Sequence, residues 1–196
     1  MSYSIDAIAE DCYEGTFCLI NKLGIKDDKK LKEFEAAVTF AKASELEAVP
    51  IAETFDVAHY KAIHKYLFED IYDWAGNYRN INMSKNGTDF ANAENISALM
   101  DACFKRLHDK NYFRNTDFDT FIENIVDFYQ VTNKIHPFRE GNGRTQRLFL
   151  TQLIRYNGFD IDFSTIDTDE LMIATIQVTN GVKDNIVKIF HESIVK

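Results

Sequence analysis

The run "DFDTFIENIVDFYQVTNKIHP", residues 117–137, constrains this chain more than any other stretch. Phe118, Phe121, Ile122, Ile125, Phe128, Tyr129 and Thr132 recur every three or four residues, the spacing of one helical face. Asp117 or Asp119 supplies an oxygen to start the helix, and Pro137 ends it by pushing His136 out of the α region. "DDKKLKEFEAAVTFAKASELEAV" reads as another long helix, with Leu31, Phe34, Val38 and Ala41 inward and its many charges outward. "FDVAHYKAIHKYLFEDIYDWAG" is a third, stopping near Gly76, and a fourth runs from about 93 to 108. From 144 to 156 the apolar residues Leu148, Phe149, Leu150, Leu153 and Ile154 crowd together, which places that helix at the centre of the fold, ended by Asn157-Gly158. Two more helices, near 167–179 and 182–195, complete a chain without repeats or low-complexity segments.

One segment breaks the helical pattern. In "RNINMSKNGTDFANA", Ile81 and Met83 alternate with polar residues, and Thr88 and Phe90 follow Asn86-Gly87, a pair suited to a tight two-residue hairpin. Such a hairpin leaves a free strand edge, to which an extended peptide could add. Taken alone, the stretch favours a plain surface excursion between helices.

Composition excludes several classes. At 196 residues the chain has room for one core, and 31 Asp and Glu against 22 Lys and Arg give a net charge of −9. That balance argues against broad nucleic-acid binding and against a basic helix lying on a membrane. No apolar run reaches membrane-spanning length, and the start has no basic region followed by an apolar one. Cys12, Cys18 and Cys103 lack CxxC spacing and read as reduced thiols, so a cytoplasmic protein is expected. The N-x-S/T sequences at Asn82, Asn86 and Asn95 read as chance matches.

Against this acidic background, residues 134–158 carry five cations (Lys134, Arg139, Arg144, Arg147, Arg155) and the single acid Glu140. Within them lies "HPFREGNGRTQR", residues 136–147. Gly141-Asn142-Gly143 precede the central helix, where amides and the helix N-terminus can form an anion nest. Arg144 and Arg147, three apart, share a face of its first turn and suit phosphate oxygens. There is no P-loop and no dinucleotide fingerprint. Glu140 could hold Mg²⁺ against a bound polyphosphate, and His136 could take a proton from a hydroxyl. Phosphoryl or nucleotidyl transfer to a hydroxyl fits this set. His59, His64, His108 and His191 read as packed or exposed residues.

The twelve residues resemble the Fic-family signature HxFx[DE]GNGRxxR at every specified position, and "DIYDWAGNYR" followed by "INMSKNGTDFANAENI" resembles the family's flap. The resemblance implies an all-α Fic fold of about seven to eight helices with one β-hairpin, as a single domain over 1–196. It implies transfer of AMP from ATP to a protein hydroxyl. His136 would be the base, Phe138 would seat the loop and Glu140 would hold Mg²⁺. Gly141, Asn142 (backbone and side chain) and Gly143 would cradle the phosphates, and Arg144 and Arg147 would secure the β- and γ-phosphates. The flap, about 79–92, would hold the target by strand addition through Ile81, Met83, Lys85, Gly87, Thr88 and Phe90, which reverses the plain reading of the hairpin. A lysine replaces the second motif glycine in the phosphorylating Doc branch. Gly143 therefore points to AMP transfer, while a phosphocholine-transferring branch is less firmly excluded. A nucleotide-binding module without catalysis is the alternative, against which intact His136 and Glu140 argue.

Many Fic proteins carry an inhibitory helix, [ST]xxxE[GN], whose glutamate pairs with the second motif arginine. Glu is followed by Gly or Asn at Glu14, Glu94, Glu123 and Glu140, but Glu10, Phe90, Asp119 and His136 stand four residues before them. The chain thus resembles toxins whose inhibitory helix belongs to a separate antitoxin. Such proteins often act on the ATPase subunits of DNA gyrase and topoisomerase IV.

Overall fold

The computed structural model describes residues 4–5, 11–85 and 88–196. Among them are seven α-helices: α1 (Asp28–Ala48), α2 (Val57–Phe68), α3 (Ile96–Asp109), α4 (Phe118–Ile135), α5 (Asn142–Tyr156), α6 (Thr168–Thr179) and α7 (Asp184–Ser193). Helix α5 is central, with α2, α4 and α1 packed around it. Phe149, Leu150, Leu153 and Ile154 are wholly buried, and the Phe149 ring meets Tyr60, Phe104 and Phe128 at centroid distances of 5.4 Å. Each such aromatic contact adds roughly 0.5–1.5 kcal/mol to what area burial supplies. None of these helices is long and apolar enough to cross a membrane, and the three cysteines are buried free thiols.

Helix α4 follows the sequence closely. Asp117 caps it by accepting from the Thr120 amide, and His136 closes it in the left-handed region at φ 49°. Two other expectations need correction. On α1 the inward stripe is Leu31, Glu35, Thr39 and Leu46, while Phe34 and Ala41 face solvent. The face is rotated because Glu35 has partners inside the fold. Helix α2 ends at Phe68 rather than near Gly76. There the amides of Ile71 and Tyr72 both donate to the Phe68 carbonyl, and the chain folds back to bury Ile71 and Tyr72, which a continued helix would not do.

The hairpin consists of β2 (Met83–Lys85) and β3 (Thr88–Asp89), with Ser84 opposite Asp89 and Lys85 opposite Thr88. The Asn86-Gly87 turn itself lies outside the described residues. The other edge of β2 is not free: β1 (Ser4–Ile5) pairs with it antiparallel, Ser4 opposite Ser84 and Ile5 opposite Met83. A second small pair joins β4 (Asp160–Ile161) to β5 (Ile194–Val195), closing the C-terminal helices onto the end of α5.

Candidate active site

The catalytic loop candidate, 136–141, connects α4 to α5 and leaves one left-handed residue for another. His136 is 7% exposed. Its ring lies flat on Phe90 at the foot of the flap, with centroids 3.8 Å apart and planes 8° apart. Phe138 is fully buried, stacked on His64 at 3.7 Å and on Tyr60 at 5.8 Å. Gly141 has φ 79°, and a Cβ there would lie 2.1 Å from Cζ of Phe68. A side chain at 141 is therefore barred by both backbone and packing.

Helix α5 begins without a side-chain cap, its first internal bond running from the Thr145 amide to the Gly141 carbonyl. The amides of Asn142, Gly143 and Arg144 precede that bond, so the positive end of the helix is available to an anion. The side chain of Asn142 does not join them. Its Nδ2 donates to the Phe138 carbonyl at 2.7 Å, and its Oδ1 accepts from the Phe138 amide at 2.8 Å. Both polar ends are thus spent on shaping the loop. Gly143 is helical and needs no special φ; a Cβ there would stand 3.1 Å from Nη1 of Arg147.

Glu140 Oε1 accepts from the Gly141 amide at 2.8 Å and lies 3.3 Å from Nη2 of Arg144. The two arginines of the first turn have different company. Arg144 meets Glu35 at 2.5 Å and Thr39 at 3.1 Å. Arg147 has no carboxylate within ion-pair distance among the described residues, and burial, assisted by the charge of Arg144, lowers its pKa. Glu140, Arg144 and Arg147 share the wall of a cavity of about 1050 Å³ between α1 and α5.

This loop falls within residues 54–154, which match the Fic/DOC family model. The chain belongs to the Fic/DOC family. It is 37% identical over 171 residues to "Probable protein adenylyltransferase y4lH" of Sinorhizobium fredii, covering 87% of this chain and 88% of that one. It is 36% identical over 169 residues to protein adenylyltransferase VbhT of Bartonella schoenbuchensis, covering 86% of this chain and 35% of that longer one. The crystal structure of BepC from Bartonella tribocorum, with bound AMPPNP, superposes with a TM-score of 0.86 at 29% identity, over 94% of this chain and 95% of that one.

Several residues that organise this Fic site were not singled out from sequence. Arg79, 5% exposed, donates from Nε to the His136 carbonyl at 2.8 Å and from Nη2 to the Ile135 carbonyl at 3.2 Å. It also reaches the carbonyls of Ile81 and Ala91, each at 2.5 Å. One guanidinium therefore ties both legs of the flap to the end of α4, satisfying carbonyls that the helix leaves orphaned. Burial lowers its pKa to about 10, so it stays charged at neutral pH. His64 is packed, as read, but it also holds the loop: its Nδ1 accepts from the Gly76 amide at 2.8 Å. That leaves Nε2 to donate to the Glu140 carbonyl at 3.1 Å. Burial drives its pKa down to about 3. Arg139, at a position the signature leaves open, is buried against Asp11 at 3.1 Å. Of the flap residues, Met83 is buried and Ile81 and Phe90 are half-buried; Lys85 and Thr88 are described as strand backbone, and Gly87 lies outside the described residues.

Proposed function

We propose that this Fic protein is a protein adenylyltransferase, moving AMP from ATP to a hydroxyl side chain of a target protein. The observation that carries this reading is the pairing, on one short loop, of His136 with the uncapped start of α5 and its two arginines. The relatives named as adenylyltransferases and the AMPPNP-bound structure support it. His136 takes the hydroxyl proton as the oxygen attacks the α-phosphorus. The bond from that phosphorus to the β-phosphate oxygen breaks, and pyrophosphate leaves. The amides of Asn142 and Gly143 hold phosphate oxygens, Arg144 and Arg147 secure the β- and γ-phosphates, and the bend at Gly141 aims them.

Glu140 suits Mg²⁺. Its Oε2 accepts no described hydrogen bond, and no group of three potential ligands exists among the described residues. A lone carboxylate matches an ion that arrives with phosphates and keeps its waters. When bound, Mg²⁺ neutralises charge gathering on the departing pyrophosphate.

The target docks its backbone along the flap, and because β1 already pairs with β2, an incoming strand on that edge displaces residues of the same chain. We further read the chain as a toxin restrained by a small antitoxin, whose [ST]xxxE[GN] helix brings a glutamate to Arg147. The absence of a described acidic partner at Arg147, facing an open cavity, supports this. Gyrase and topoisomerase IV ATPase subunits are the targets to try first.

Transfer is tested by incubating the lone chain with lysate and ATP labelled at either the α- or the γ-phosphate. AMP transfer labels protein from α only; label arriving from γ instead would identify a phosphorylating enzyme. Added SxxxEG peptide should silence the reaction, and the same helix with glycine for glutamate should not.

A further inference from the structure

A carboxylate is seldom buried without firm partners, yet Glu35 is 5% exposed in the middle of α1. Its Oε2 accepts from the Tyr72 hydroxyl and its Oε1 from Nη2 of Arg144, both at 2.5 Å. The same guanidinium donates from Nη1 to Thr39 Oγ1 at 3.1 Å, and it lies 4.8 Å above the Phe68 ring. Thr39 gives its own proton to the Glu35 carbonyl at 2.7 Å, so its oxygen is turned to accept from Arg144. Three groups of α1 and α2 thus draw Arg144 away from the loop.

Glu140 is the competing acid. It precedes the helix, on the far side of the left-handed Gly141, and its Oε1 accepts only a long bond of 3.3 Å from the nitrogen that Glu35 meets at 2.5 Å. We propose that Glu35 is a positioning residue that takes the larger share of Arg144 and keeps it from closing fully onto Glu140, so that Glu140, touched only at Oε1, keeps Oε2 for the divalent cation accompanying the nucleotide. This rests on Glu140 being the metal carboxylate. Without the charge at 35, the nearest acid left to Arg144 is Glu140. The guanidinium then closes on it, neutralising the group the cation needs.

Metal dependence separates this role from a merely structural one. The experiment measures equilibrium binding of a non-hydrolysable ATP analogue to the purified full chain, with Mg²⁺ titrated and with a metal-free arm. Glu35→Gln keeps the shape and the hydrogen-bonding reach of the side chain. It should raise the Mg²⁺ concentration giving half of the enhancement on the order of tenfold, the usual scale for losing an outer partner of a metal ligand. Metal-free binding should change by no more than about twofold, well below that scale. Adding Arg144→Gln to Glu35→Gln should return the Mg²⁺ midpoint toward that of wild type, although nucleotide affinity falls overall. If Glu35→Gln does not fold, Glu35→Asp keeps the charge on a shorter arm and should shift the midpoint part of the way. An unchanged midpoint in a folded variant overturns the proposal and leaves the transferase reading intact. A wild-type chain whose nucleotide binding ignores Mg²⁺ removes the metal role of Glu140, and this proposal with it.

Discussion

At the His136 end of the catalytic loop, position is set by ring packing and by hydrogen bonds to backbone carbonyls, none of these contacts being to a carboxylate: the flat stack on Phe90, the buried Phe138, and the grip of Arg79 on four carbonyls. At the other end, charges set the arrangement. Arg144 is shared between Glu35 and Glu140, and Arg147 has no described acid at all. The first end moves a proton over a short distance, where a small misplacement is costly. The second must receive a highly charged ligand, so its guanidinium groups stay able to exchange partners. Rigidity and adjustability are divided along six residues of loop.

Crowding the adjustable end should give the largest effect of the three changes that probe this contrast. Gly143→Lys sets a side chain against the far end of the Arg147 side chain and not against backbone, so folding should survive while AMP transfer falls on the order of 10²-fold. A folded variant with normal transfer would mean that Arg147 does not orient the phosphates. Thermal unfolding alongside the labelled-ATP assay provides both readings.

The rigid end carries a pH signature. His64 has a folded pKa near 3, against roughly 6.5 when unfolded, and burial also lowers that of His59. A depressed histidine pKa means that the unfolded chain binds more protons between those values. Its stabilising effect is therefore complete above about pH 6.5 and is lost as pH falls toward 3. Denaturant unfolding at pH 7.0 and 5.5 should differ by about 1 kcal/mol on account of His64, with His59 contributing in the same direction. The share due to His64 should vanish in His64→Gln; an unchanged pH dependence would contradict its assignment as a neutral support for Glu140.

The smallest effect concerns the flap, which is held at its base but paired with β1 along one edge. A cross-strand pair contributes about 0.2–1 kcal/mol, so deleting residues 1–10 should raise the apparent affinity for a target by up to about fivefold. Comparing target-concentration curves for both chains checks this. Weaker target binding after deletion would show that β1 supports the flap instead of competing for it.

How much of this was legible in the sequence depends on how local the cause is. The helix over 118–135 was readable because its apolar period lies within it and its cap Asp117 and Pro137 lie directly beside it. Membership of the Fic/DOC family was readable from twelve contiguous residues. Glu35 was hidden because a charged residue on a charged helix reads as solvent-facing, and its partners Tyr72 and Arg144 are distant in sequence. Arg79 lay inside the expected flap, but its task is to satisfy carbonyls, which leave no trace in residue type. The strand pairing of residues 4–5 had no periodicity to announce it.

The central claim is that His136 handles the proton while the start of α5 handles the phosphates. It is tested most directly by measuring ATP binding calorimetrically and AMP transfer by mass spectrometry on the same preparation of His136→Ala. The account predicts binding within about twofold of wild type and transfer lower by about 10²–10⁴-fold, the usual worth of a general base. Near-normal transfer would contradict it, as would a loss of ATP binding in a variant that remains folded.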